Sequence, residues 1–143
     1  MKNFFSKMME TDTSGWSSLL LRVPLGLSFT FHGWGKLFSE HGTEGFAGFL
    51  AKIGIEPSYL FAVLTGITET FGGMLIIVGL FTRFAAASHV ILMTVIILKV
   101  HIQQPIFGQG SFELQLFMLI MSVILLIQGG GKYSVDAMIS AKK

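Results

Sequence analysis

The fold class this sequence predicts is all-α: an integral membrane four-helix bundle with a short interfacial helix between the first and second transmembrane helices. Three observations predict it. Of 143 residues, 52% are hydrophobic and the mean hydropathy is +0.70, which is more apolar surface than a chain this short can hide inside itself. Only 13% are charged, about half the soluble norm, and high hydrophobicity with low charge also excludes a disordered chain. Four apolar runs of about 17 to 23 residues recur along the sequence, and at 1.5 Å per residue each spans a hydrocarbon layer of roughly 30 Å. One such run would fit the core of a soluble protein. Four in a chain with so few polar residues to wrap them do not.

Residues 1–16 are polar and mixed, with Lys2, Lys7, Glu10 and Asp12, and are expected to form a cytoplasmic N-terminal segment. A signal peptide would place its apolar run sooner and follow it with a small-residue cleavage site, so the first run, residues 17–38, reads as an uncleaved helix. Thr13 and Ser14 are available to cap it. Pro24 falls in its early turns and can kink it. Residues 39–57 turn polar and glycine-rich, but Phe46, Phe49, Leu50 and Ile53 recur at helical spacing. That stretch predicts a short helix, either in the membrane interface or packed over the mouth of the bundle.

The second crossing is expected over residues 58–80, with Pro57 as its start signal. After a tight turn at Gly79, Thr82 and Arg83, the third follows over residues 84–102. A loop then leads to the fourth, residues 112–128. Ser111 is placed to cap it, and Glu113 sits where a carboxylate favours the helix dipole. Gly129, Gly130 and Gly131 end it. The four-helix domain therefore covers residues 17–131, and residues 132–143 form a short tail with at most a small turn near Tyr133 to Asp136. An even number of crossings puts both ends on one side. That side holds Lys2, Lys7, Arg83, Lys132, Lys142 and Lys143, so both termini are expected to be cytoplasmic.

Polar residues inside these runs carry the functional signal. Glu69 lies at the middle of the second crossing, where an ionised carboxylate is costly unless paired, protonated or next to water. Gly66 and Gly73 share its face, and small residues there permit close helix contact. Glu69 is either a tie between helices or a ligand, ion or proton site. Its expected partner is Arg22, about five residues into the first crossing on a stripe with Gly26, Gly33 and Lys36; the alternative for Arg22 is snorkelling to the headgroups. His32, Lys36, Lys99, His101 and Glu113 approach the opposite surface and form a candidate polar mouth. His89 reads as a core hydrogen-bonder, a proton relay or part of an anion pocket.

Several chemistries are excluded or made unattractive. With Cys 0, this chain alone offers no disulfide, thiolate or Cys-ligated cluster. No HExxH or closely spaced carboxylate–histidine group suggests a metal, and His32 and His89 at different depths make bis-histidine haem unfavourable. No P-loop, dinucleotide fingerprint or serine elbow is present. No basic stripe points to nucleic acid.

Three pieces of the chain resemble the DoxX family of small bacterial membrane proteins, related to the DoxD subunit of thiosulfate:quinone oxidoreductase. They are Arg22-x3-Gly26 with Phe31-His32-Gly33-x2-Lys36; Glu69-x2-Gly72-Gly73-x2-Ile76-x2-Gly79-Leu80-x-Thr82-Arg83-x-Ala85-Ala86; and Glu113-Leu114 with residues 125–131 and Ser134-x-Asp136. The resemblance runs from about Leu20 to Asp136. It implies a four-helix integral membrane domain in the bacterial inner (plasma) membrane, with some members linked to respiratory quinone chemistry or to oxidoreductase complexes in oxidative stress. The matching polar positions are Arg22, His32, Lys36, Glu69, Arg83 and Glu113.

The pocket candidates are thus Arg22, Gly26, His32, Lys36, Glu69, Gly73, His89 and Glu113, with Gly33, Gly66, Gly72 and Arg83 structural. The expected function is a small subunit that binds a quinone or other lipidic molecule and serves a soluble oxidoreductase partner. Alternatives are a proton-coupled or lipid-handling transporter, which would need to oligomerise, and a scaffold without activity. Membrane lipids and a second copy of the chain are further expected partners.

Overall fold

The computed structural model describes residues 15–141 and is helical, with no strand among the described residues. Helix α1 is Trp16–Phe38, α2 is Gly42–Lys52, α3 is Ser58–Val78, and α4 is Thr82–Ile96. The last continues into a π-helical turn, Ile97–His101. Helix α5 is Glu113–Gln128 and α6 is Val135–Ser140. The expected runs lie on α1, α3, α4 and α5, and the expected short helix is α2. Residues 1–14 of the expected N-terminal segment, with the caps Thr13 and Ser14, and the charges at Lys2, Lys7, Lys142 and Lys143 lie outside the described residues.

Two segments, Ser58–Val78 and Thr82–His101, are long and apolar enough to cross a membrane. Helix α1 has 23 residues but carries Arg22, His32 and Lys36, which lower its hydropathy. Helix α5 is apolar with 16 residues, about 24 Å of rise. All four helices share one distribution of side chains. Leu20, Phe31, Phe84, Ile91 and Ile127 are each at least 66% exposed, whereas Arg22, Glu69, Thr70, Thr82, His89 and Ser122 are buried. Water would drive the opposite sorting. Contiguous apolar faces of this kind mark a surface that meets lipid or partners.

Helices α1 and α3 pack most closely, because each presents glycines to the other. A Cβ on Gly26 would lie 2.6 Å from the Gly73 carbonyl and from the Ile77 side chain, one on Gly33 would strike Thr70, and one on Gly66 would meet Leu37 at 2.6 Å. These contacts also fix the register: moving up α1 from Gly26 to Gly33 to Leu37 moves back along α3 from Ile77 to Thr70 to Gly66. The first turns of α3 therefore project beyond the end of α1 and pack on α2, where Ala62 joins Ala47 and Leu50 in a small core. The main core, including Leu25, Phe29, Ile76, Ala86, Met93, Met118 and Leu125, joins α1, α3, α4 and α5.

Two local expectations are corrected. Ser111 does not cap α5; its N-cap is Phe112, with no side-chain hydrogen bond, because the loop closes instead through Phe112 N to Pro105 O at 3.2 Å. Nor are the residues after Gly131 a plain tail. Ser134 caps α6 by accepting from Ala137 N at 3.1 Å, and α6 folds against the α3–α4 turn, Asp136 N donating to Gly79 O at 2.9 Å.

Candidate functional site

The α1–α3 register decides what Glu69 meets. With Gly33 opposite Thr70, the next turn of α1 carries Lys36 to Glu69, and Lys36 Nζ donates to Glu69 Oε2. The Glu69 side chain is 3% exposed and that of Lys36 is 20%, so the charge is withdrawn into the bundle with its counter-charge. Lys36 also lies 4.9 Å from the centre of the Phe46 ring, a cation–π distance.

The expected Arg22–Glu69 pair does not form. The same register leaves Arg22 beyond the end of α3, where its guanidinium occupies the place a Cβ on Gly79 would take. Gly79 ends α3 with φ 71°, so glycine there serves both the left-handed turn and the arginine. Arg22 donates through Nη2 to Tyr133 O, while its Nε and Nη1 have no hydrogen-bond partner among the described residues. Depth read from the sequence alone takes the start of α1 as level with the end of α3 and leaves the long guanidinium to span the rest of the gap to Glu69. The packing of α3 on α2 offsets the two helices.

Beside Arg22, the Asp136 carboxylate accepts from Phe81 N at 2.8 Å, Thr82 N at 2.9 Å and Thr82 Oγ1 at 2.8 Å. Phe81 has φ 47°, a conformation that is costly for a bulky residue unless its surroundings hold it. Burial pushes the Asp136 carboxyl up, but those three hydrogen bonds and the nearby Arg22 charge outweigh it and hold the group below the usual carboxylate range. Arg83 completes this end by donating from Nη2 to Ile127 O at 3.0 Å.

Two cavities meet at Lys36. The smaller, about 140 Å³, is lined by His32, Lys36, Glu69 and Gln115 with apolar neighbours. The larger, about 650 Å³, is an apolar cleft between α2, α3 and α4, walled by Phe46, Phe61, Leu64, Ile91 and Val95 among others. Lys36, Lys99 and His101 also line it. Its size is that of a small-ligand site.

The structure therefore brings together His32, Lys36 and Glu69 from the expected set. Gly26, Gly33, Gly66 and Gly73 act in helix contact. Gly72 gives room to His89, whose Cε1 would lie 2.6 Å from a Cβ there. His89 is buried, donates from Nδ1 to Ala85 O at 2.7 Å and packs its ring 3.9 Å from that of Phe29. Glu113 occupies the first turn of α5. Sequence reasoning missed Gln115, although an amide inside an apolar run was a readable signal, and missed the cleft walls, which no single run reveals. Among the described residues no group of three or more His, Cys, Asp or Glu could hold a metal ion.

Helices that turn apolar faces outward and close over buried charges define a membrane protein. The comparisons agree. The DoxX family pattern matches residues 17–102, more than half of the chain. A Bacillus subtilis (strain 168) protein named "Putative oxidoreductase CatD" is 32% identical over 116 residues, 81% of each chain. An uncharacterized membrane protein of Mycobacterium tuberculosis (strain ATCC 25618 / H37Rv), Rv3486, is 30% identical over 137 residues, 88% of this chain and 83% of that one. No solved structure matches. This chain belongs to the DoxX family.

Proposed function

We propose that this protein binds a quinone or another lipid-soluble molecule in the cleft beside Lys36 and supports a membrane-associated oxidoreductase. The observation that carries the reading is the junction of the two cavities: an apolar cleft of about 650 Å³ meets an ammonium group held by a buried carboxylate. A flat apolar ring would lie against Phe61, Leu64, Ile91 and Val95, and its carbonyl oxygen would accept from Lys36. His32 and Glu69, on the far side of Lys36, would supply or take up protons. The name of the Bacillus subtilis relative favours redox work, and a chain without cysteine would take its electrons through a partner.

In this reading α1, α3, α4 and α5 cross the plasma membrane, α2 rests at one interface, and both termini are cytoplasmic. Purification from native membranes, with bound lipids and proteins identified by mass spectrometry, tests the proposal directly. A quinone and an oxidoreductase should co-purify, and added quinone should raise the unfolding temperature of wild type but not of Lys36→Met. No co-purifying quinone and no thermal shift would overturn it.

A further inference from the structure

The cleft differs at its two ends. Its wall on α3 runs from Phe61 to Thr68, about 10 Å, and its wall on α4 from Ser88 to Lys99, about 16 Å. The end toward Ser88 is walled by Thr68, Ile91 and Leu92. The opposite end carries Lys99 and His101, Lys36 lines the cleft where it meets Glu69, and no carboxylate among the described residues lines the cleft itself. The charge of Lys36 is met from behind by Glu69. Lys99 is exposed and has no acidic partner among the described residues. His101 is fixed beside it by Gln104, Nδ1 to Oε1 at 2.6 Å, and by its stack on Phe112 at 6.3 Å. Lys99 and His101 both belong to the π-helical turn, a distortion frequent at functional sites.

A long apolar slot with an uncompensated cation at its mouth is complementary to an amphiphile of opposite charge. We infer that the cleft prefers a single-chain carboxylate, a fatty-acid-like anion, over a neutral amphiphile of the same chain, with the carboxylate at Lys99 and the chain running along α4 toward Ser88. The inference rests on the reading of the cleft as a ligand site and names a ligand class that this site selects by charge. A neutral ring system needs only Lys36 and the apolar walls. The second cation serves an anion.

The test uses the whole chain in phosphatidylcholine nanodiscs, with dodecanoate and dodecanol each carrying a chain-terminal diazirine. Photolabelling should fall on the wall at the Ser88 end, residues 88–92, and dodecanoate should out-compete dodecanol by roughly fivefold, the range of an interaction between exposed or half-exposed charges. Lys99→Gln, at an exposed position, should bring the two probes close to parity while leaving thermal stability unchanged. Val95→Trp, which fills the cleft, should block both. Equal labelling of wild type by both probes, or an unaltered preference in Lys99→Gln, would overturn the charge selection and leave the ligand site standing. Cleft labelling by neither probe, with the label instead on lipid-facing surfaces, would overturn the site as well. Loss of labelling when phosphatidylglycerol replaces phosphatidylcholine would assign the cleft to a membrane lipid and overturn the free carboxylate.

Discussion

Lys36 and Glu69 face each other in the bundle with little water to share, so removing one charge leaves the other desolvated and unpaired. Lys36→Met should therefore destabilise more than the double variant Lys36→Met with Glu69→Gln. The expected coupling is about 1–2 kcal/mol, since polar pairs in membranes hold less than their isolated strength suggests. Unfolding in detergent, read as a double-mutant cycle, measures it. Arg22 and Glu69 share no hydrogen-bond partner among the described residues, so Arg22→Met with Glu69→Gln should be additive to within about 0.5 kcal/mol. At the other end of the molecule, Asp136 holds the α4 N-terminus and the left-handed Phe81. Asp136→Ala should cost about 1–2 kcal/mol, as the loss of a helix cap does. Because the native carboxyl is held below its ordinary value, its stabilisation is complete above the unfolded pKa of about 3.9 and disappears as pH falls through the lower native value. Acid titration of stability should accordingly be shallower in Asp136→Ala than in wild type.

Helix α1 meets α3 backbone to backbone, and the glycines at that contact have no slack. Gly26→Leu would push a side chain into the Gly73 carbonyl and Ile77, and should destabilise by about 1–3 kcal/mol or more as overpacking does. Helix α2 supplies the control. A Cβ on Gly45 meets nothing within 4 Å, so Gly45→Ala should be neutral or stabilising by up to about 1 kcal/mol through helix propensity alone. Thermal unfolding of the two variants side by side separates close contact from composition. Separation of α1 from α3 would also carry Lys36 away from Glu69, so Gly26→Leu should weaken the response to any ligand seated in the cleft.

For the whole molecule the open quantity is topology, and the sequence makes the experiment simple. A chain without native cysteine accepts single reporter thiols. Lys132→Cys and Lys52→Cys, both at exposed positions, should label from opposite sides of the membrane with an impermeant maleimide, Lys52→Cys from outside the cell. Labelling of both from one side would contradict four crossings with cytoplasmic ends.

The sequence by itself determined the helices and the surfaces they bury. Apolar runs, Pro57 ahead of α3 and Gly129 after α5 are local signals, and local signals fix where a helix starts and stops. Gly66 and Gly73 signalled close packing, Gly26 and Gly33 either close packing or room for a flat ligand, and Glu69 a buried carboxyl that had to be paired, protonated or next to water. What only the tertiary structure decided is which partner it has. Depth measured along each helix from one side of the bundle assumes that α1 starts level with the end of α3, and that assumption chose Arg22. Helix α3 instead extends past α1 to pack on α2, shifting the register until Lys36 lies beside Glu69 and Arg22 beside Gly79. The cleft was illegible for the same reason: its walls come from α2, α3 and α4, and a cavity exists only where separate helices fail to touch.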